Sequence, residues 1–176
     1  MPERIVIDNF IDPKDAEDLI GFIQKNEHLV GDGRTFHADK TINWINISDN
    51  KIRDLLKYYA RKTIIFIDHH LHTKTTMYKN MRLARWLKGM SMEPHIDKQP
   101  EYEDTMDYSA LAYLNDAYEG GELFFVDENG GEEVYRMRAF SCIFFKSGKE
   151  NSHGVKEILN GRRYTIPSFY NEKKKI

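Results

Sequence analysis

Apolar residues fall at helical spacing twice before residue 75. Ala16, Leu19, Ile20 and Ile23 form one stripe, with Asp12 placed to cap the helix and Pro13 suited to its first turn. That pattern ends near Asn26. Ile52, Leu55, Leu56, Tyr59, Thr63, Phe66 and Ile67 form a second stripe at i, i+3, i+4, i+7, behind Ser48 or Asp49 and running to about residue 70. Ile5-Val6-Ile7 reads as a short strand. Between the helices, 28–41 carries Gly31 and Gly33 among polar residues and reads as a loop.

Beyond residue 75 the period changes. Segments near 76–90, 93–97, 108–115, 122–126, 133–138, 140–146 and 163–170 are rich in Tyr, Phe, Val, Ile and Met and read as strands. Turn signals separate them at Lys88-Gly89, Gly120-Gly121, Asn129-Gly130-Gly131, Gly148 and Asn160-Gly161. Many short strands with glycine-rich turns predict a barrel or a double-sheet jelly roll. The fold class is therefore α+β, mainly β, with the N-terminal helices packed on one sheet. Pro167 has no N–H to give to a ladder, which predicts an edge or a bulge in the last strand.

The chain has 176 residues, a length that suits one domain with a helical support region over 1–75 and a jelly-roll core over 76–171. The net charge of −2 sets up no field for nucleic acid or an anionic membrane. No apolar run approaches a membrane span, and the first residues lack the apolar stretch of a signal peptide. The single cysteine, Cys142, sits in the apolar run AFSCIFF and reads as core, and no internal disulfide is possible. A reducing, cytoplasmic setting is expected. Composition does not specify an oligomeric state.

Chemistry enters at Pro94-His95-Ile96-Asp97. Alternate side chains of a strand share a face, so His95 and Asp97 point the same way, about 7 Å apart along the strand. A third group would complete the two-histidine, one-carboxylate face that suits ferrous iron with open positions. His153, in Asn151-Ser152-His153-Gly154, is the best candidate. A lone H-x-D is weak, because two surface residues produce it as readily.

Further pieces follow in order: Arg85-Trp86 with Gly89, then Ala112-Tyr113-Leu114-Asn115-Asp116, then Gly120-Gly121-Glu122-Leu123-Phe124-Phe125. Val134, the run Phe140 to Phe145, His153-Gly154-Val155 and Gly161-Arg162-Arg163-Tyr164 complete the series. With these pieces the chain resembles the 2-oxoglutarate oxygenases over residues 80–170, most closely the prolyl 4-hydroxylase branch. The resemblance implies a double-stranded β-helix, with Fe(II) held by His95, Asp97 and His153. It implies 2-oxoglutarate and O2 as co-substrates, succinate and CO2 as products, and hydroxylation of an unactivated C–H bond. Ascorbate is a candidate reductant.

The far carboxylate of 2-oxoglutarate becomes buried and needs a partner. A guanidinium forks onto it with two parallel bonds. The family's Gly-x-Arg-Tyr form selects Arg163 over Arg162. Alternation puts Thr165 on the face of Arg163 and Arg162 on the other. Tyr113 matches a tyrosine that bonds the same carboxylate in relatives, and Leu111 and Leu123 match pocket-lining positions. The chain departs from the family at Met92 and Trp86, where relatives often carry tyrosine, and both changes bear on substrate choice.

The expected substrate is a proline-containing peptide or protein, with Trp86, Tyr102 and Tyr108 as candidate aromatic contacts and no nucleic-acid or membrane partner. Loops 98–107 and 28–41 are either lids or plain solvated loops. Asp68-His69-His70-Leu71-His72 reads as a helix end, where histidines suit the dipole, rather than a second metal site. His28 and His37 have no partner in the sequence, and the tail from Glu172 to Ile176 reads as a solvated end. Two other functions stay open: the same chemistry on another side chain, a small metabolite or a nucleobase, and a non-catalytic jelly-roll binding module.

Overall fold

The structure, a computed structural model, describes residues 3–29, 41–78, 81–98 and 106–173. Helix α1 (Pro13–Lys25) starts where Asp12 accepts a bond from the Lys14 N–H at 2.8 Å, with Pro13 in its first turn. Helix α2 (Asn50–His70) is capped by Asp49, which accepts from the Ile52 N–H at 3.2 Å. Tyr59 of α2 ties the two together. Its hydroxyl donates to Asp15 at 2.6 Å and accepts the Asp12 N–H at 3.0 Å. At the far end of α2, Asp68 accepts the Thr75 N–H and hydroxyl, and the His70 ring stacks on Phe66. These residues finish the helix.

The strands are β1 (Arg4–Ile7), β2 (Thr41–Asn43), β3 (Thr75–Met77), β4 (Arg82–Trp86), β5 (Met92–His95), β6 (Tyr108–Tyr113), β7 (Tyr118–Gly120), β8 (Leu123–Val126), β9 (Glu132–Tyr135), β10 (Cys142–Lys146), β11 (His153–Val155), β12 (Ile158–Gly161) and β13 (Arg163–Glu172). A large antiparallel sheet runs β1-β10-β6-β13-β4-β2, with β3 pairing the end of β13. A smaller antiparallel sheet runs β5-β11-β8-β9, and β7 pairs β12.

Strand alternation divides the large sheet between two cores. Outward residues Cys142 and Phe144 of β10, and Tyr164, Ile166 and Tyr170 of β13, pack with Leu19 and Ile23 of α1 and Leu56 and Ile67 of α2. Inward residues Ile143 and Phe145 meet Leu123 and Phe125 of the small sheet, with Tyr113 beside them. The stretch Cys142 to Phe145 is apolar without alternation because β10 is buried on both faces there. Among the described residues no helix is long and apolar enough to cross a membrane.

Several expectations shift. The stretch 76–90 holds two strands, one ending at Met77 and the next beginning at Arg82, and the second is followed by a turn at Gly89 with φ +85°. The first part of the chain is more than helical support, since β1 and β2 belong to the large sheet. Thr41, placed in a loop by the sequence, opens β2. Pro167 lies in an interior strand, not an edge. It faces Leu111 of β6, but on its other side the β4 ladder stops at Thr165 and the β3 ladder begins at Tyr170. That gap is where a residue without an N–H costs least.

Cys142 is 1% exposed, and burial pushes its thiol up to about 12. The thiolate is the reactive form, so alkylation of Cys142 should be negligible in the native protein. It should rise only across the unfolding transition in urea. Rapid labelling without denaturant would show that β10 opens locally.

Candidate active site

Pairing of β5 with β11 sets His95 opposite His153, and their ring centroids lie 4.5 Å apart. β5 ends at His95, so Asp97 sits in the bend just past the strand rather than on it. The bend turns its carboxylate between the imidazoles. Oδ1 is 3.5 Å from His95 Nε2 and Oδ2 is 3.6 Å from His153 Nε2. The candidate ligand atoms of the three residues all lie within 4.8 Å of one another, a grouping able to hold a metal ion.

Both rings are oriented from behind. His95 Nδ1 is 3.1 Å from the Glu93 carbonyl and His153 Nδ1 is 2.9 Å from the Asn151 carbonyl. A carbonyl only accepts, so Nδ1 carries a proton in each ring and Nε2 is the nitrogen turned toward the cluster, free to donate to Asp97 when protonated or to offer a lone pair to a metal when not. Asp97 is oriented too. Ser109 donates to Oδ2 at 2.6 Å, and Ser147 lies 2.7 Å from the Ser109 hydroxyl. Burial opposes charge on Asp97, but the bond to His95, the charge of His153 and the bond from Ser109 outweigh it and lower its pKa. Burial also works against protonated His95, yet the Asp97 carboxylate beside it prevails and raises its pKa. At His153 burial wins, and the pKa falls.

Ser109 was not among the sequence candidates. Alternation along YSALAY places it on the face of Leu111 and Tyr113, which was the signal available. The same alternation turns Tyr108 the other way. It packs in the core under the helices, with its hydroxyl 3.3 Å from Glu172, so it is no pocket contact. Trp86 and Met92 do line the pocket, whereas Tyr102 lies outside the described residues. So do most of loops 28–41 and 98–107, His37 and the end of the tail.

Arg163, at the start of β13, lies in the same pocket as the histidines with no solvent exposure. Its Nη2 donates to the Tyr113 hydroxyl at 2.9 Å. Its guanidinium lies 5.1 Å from the Trp86 ring centre and 4.9 Å from that of Tyr113. Nε and Nη1 of Arg163 and the hydroxyl of Thr165 are buried without a hydrogen-bond partner. Arg163 and Thr165 line the same pocket, and buried polar atoms left unpaired there are costly unless a bound group meets them. Such donors are chemically able to take an acceptor such as a carboxylate. Leu111 and Leu123 line the wall, and Arg162 is half-exposed outside it, 3.9 Å from Glu27.

Tyr118, also missed by the sequence reading, sits beside Arg163. Burial raises its pKa to about 12 against the pull of that cation, so it stays protonated. Gly121, at φ +67°, lets the chain pass over this corner: a Cβ there would stand 2.2 Å from Ile158 Cδ1 and 3.4 Å from Arg163 Cδ.

A two-sheet β fold with two histidines and a carboxylate facing a buried arginine defines a class, the non-haem iron oxygenases with an acidic co-substrate. Residues 81–171 match the model of the 2OG-Fe(II) oxygenase superfamily, and the chain belongs to that family. Prolyl 3-hydroxylase 2 of Homo sapiens is 37% identical over 87 residues, covering 45% of this chain but 12% of that protein. A Pseudomonas putida prolyl-4-hydroxylase structure superposes with a TM-score of 0.76 at 16% identity, over 99% of this chain and 95% of that one. A Trichoplax adhaerens prolyl hydroxylase, solved with a hypoxia inducible factor oxygen degradation domain peptide fragment, gives 0.77 at 18% identity, over 96% and 83%. These likenesses show the fold, the double-stranded β-helix expected from the sequence.

Proposed function

We propose that the protein is a 2-oxoglutarate-dependent dioxygenase that hydroxylates prolyl residues of a peptide or protein. Fe(II) would be held by His95, Asp97 and His153, and the far carboxylate of 2-oxoglutarate by Arg163, Tyr113 and Thr165. The observation that carries this reading is the unsatisfied face of Arg163 and Thr165, buried in the same pocket as the His-Asp-His cluster. The donor set fits as well: two imidazole nitrogens and one carboxylate leave positions for co-substrate and O2.

Bound Fe(II) supplies the redox chemistry that couples decarboxylation of 2-oxoglutarate to hydroxylation of a C–H bond. The chain does the rest. Arg163 fixes the co-substrate's orientation with a two-pronged bond, and the tyrosines, kept protonated, hold the guanidinium or donate to the carboxylate. Leu111, Leu123 and Val155 exclude water, which strengthens each polar contact inside. Ser109 keeps the Asp97 carboxylate turned toward the metal position. Ser109→Ala is expected to weaken Fe(II) binding by about 10–100-fold with the fold intact. Unchanged affinity in an anaerobic titration would remove Ser109 from the site.

The prolyl substrate rests on the relatives' own substrates and on the pocket's aromatic and apolar wall at Trp86, Met92 and Phe169. The position hydroxylated stays open, since the relatives include 3- and 4-hydroxylases. The test is a panel of proline-containing peptides with Fe(II), 2-oxoglutarate and ascorbate as reductant. A gain of one oxygen matched by succinate supports the reading, and fragmentation locates the hydroxyl. Succinate formation with no peptide oxidised across a broad panel would move the substrate to another class.

A further inference from the structure

Arg4, in the segment before α1, contacts two residues that pack against or hydrogen-bond His153. Arg4, on β1, belongs to the edge strand of the large sheet, and Glu133, on β9, to the edge strand of the small one. The Arg4 side chain is only 6% exposed although it carries a charge. Its Nη1 pairs with Glu133, whose other oxygen takes the Tyr135 hydroxyl at 2.6 Å. Nε of Arg4 donates to the Asn151 side-chain oxygen at 2.8 Å, and the guanidinium lies 3.9 Å from the centre of the Phe125 ring.

Both of those contacts lead to His153. Asn151 is 1% exposed, its amide is anchored on the Lys146 carbonyl at 2.9 Å, and its own carbonyl takes His153 Nδ1 at 2.9 Å. The Phe125 ring lies 5.7 Å from the His153 ring, and Phe145 packs against both at 5.0 and 4.9 Å.

We infer that Arg4 is a positioning residue, a clasp that joins the free edges of the two sheets and fixes the His153 ring for metal binding through Asn151 and Phe125. It touches neither metal nor substrate. The planar guanidinium is suited to this because it bonds two partners in its plane while stacking on a third across its face. A lysine supplies one charge and no fork. The inference rests on His153 being a metal ligand, as proposed above.

The test compares full-length variants by anaerobic Fe(II) titration, with thermal melting of the metal-free protein alongside. Arg4→Met keeps the reach and apolar stem but removes the clasp. It should weaken Fe(II) binding by about 10–100-fold, the range for losing a group that orients a metal-bound histidine. Arg4→Lys should fall between Arg4→Met and the parent. Ile7→Ala on the same strand controls for general loosening of β1 and should leave iron affinity near the parent's even where its melting temperature drops as far. The inference is overturned if Arg4→Met binds iron like the parent, or if Ile7→Ala weakens iron equally at a matched loss of stability. Should Arg4→Met fail to fold, the comparison of Arg4→Lys with Ile7→Ala decides by the same rule. His153→Ala separates the two readings. Iron binding that survives His153→Ala sinks the metal assignment, whereas binding lost there but untouched in the Arg4 variants sinks only the clasp.

Discussion

His153→Ala is expected to lose Fe(II) binding and turnover together, each by at least about a thousandfold, because a bound metal supplies several kcal/mol of the catalysis. His153 stands opposite His95 in the β5–β11 ladder, with Nε2 3.6 Å from Asp97. Removing it leaves two candidate ligands where three converge. The fold should survive, since the ring's other neighbours, Phe125 and Phe145, stay packed on each other at 5.0 Å. Anaerobic titration, succinate release and far-ultraviolet circular dichroism read the three quantities separately. Retained iron binding in a folded His153→Ala protein would defeat the assignment, and with it the proposed chemistry.

Arg163→Met should raise the 2-oxoglutarate requirement at least a hundredfold while leaving Fe(II) affinity within about twofold. Two charge-assisted bonds at roughly 1.5–3 kcal/mol each account for the first figure. The same variant should melt no lower than the parent in the absence of co-substrate, and 2-oxoglutarate should no longer stabilise it. A fully buried cation with two unpaired nitrogens is a cost to the empty protein, and an apolar side chain of similar reach removes that cost. Arg162→Met should do none of this, because its head lies outside the pocket. A silent Arg163→Met with a damaged Arg162→Met would mean the wrong arginine had been chosen.

Much of the site was legible along the chain. His95 and Asp97 are two residues apart, so little beyond their own bend decides that they meet. The caps Asp12 and Asp49 act within three residues, and the stripes that follow them need only a helix to form a face. Arg163 and Thr165 share a face of one strand, which alternation alone implies. Ser109 and Tyr118 were missed for a different reason: a hydroxyl in a strand carries no mark of the partner it will meet. Tyr108 suits either a peptide contact or the core by its chemistry, and the parity of β6 sends it to the core. Pro167 shows the limit of local rules. The ring excludes a ladder bond, but the gap that accommodates it comes from where β3 and β4 stop.

What the amino-acid order determined by itself is therefore local: which segments are helices and strands, which residues alternate to the same side, and which side chains are chemically able to hold a metal and an acid. What the tertiary structure decided is which of those faces meet. His153 and His95 are neighbours only because β11 pairs β5 in one register, and a slip of one residue would turn the ring to the other face. Register between distant strands is set by the whole packed core. No stretch of sequence carries that information alone, because the energy that selects it comes from residues brought together only by folding.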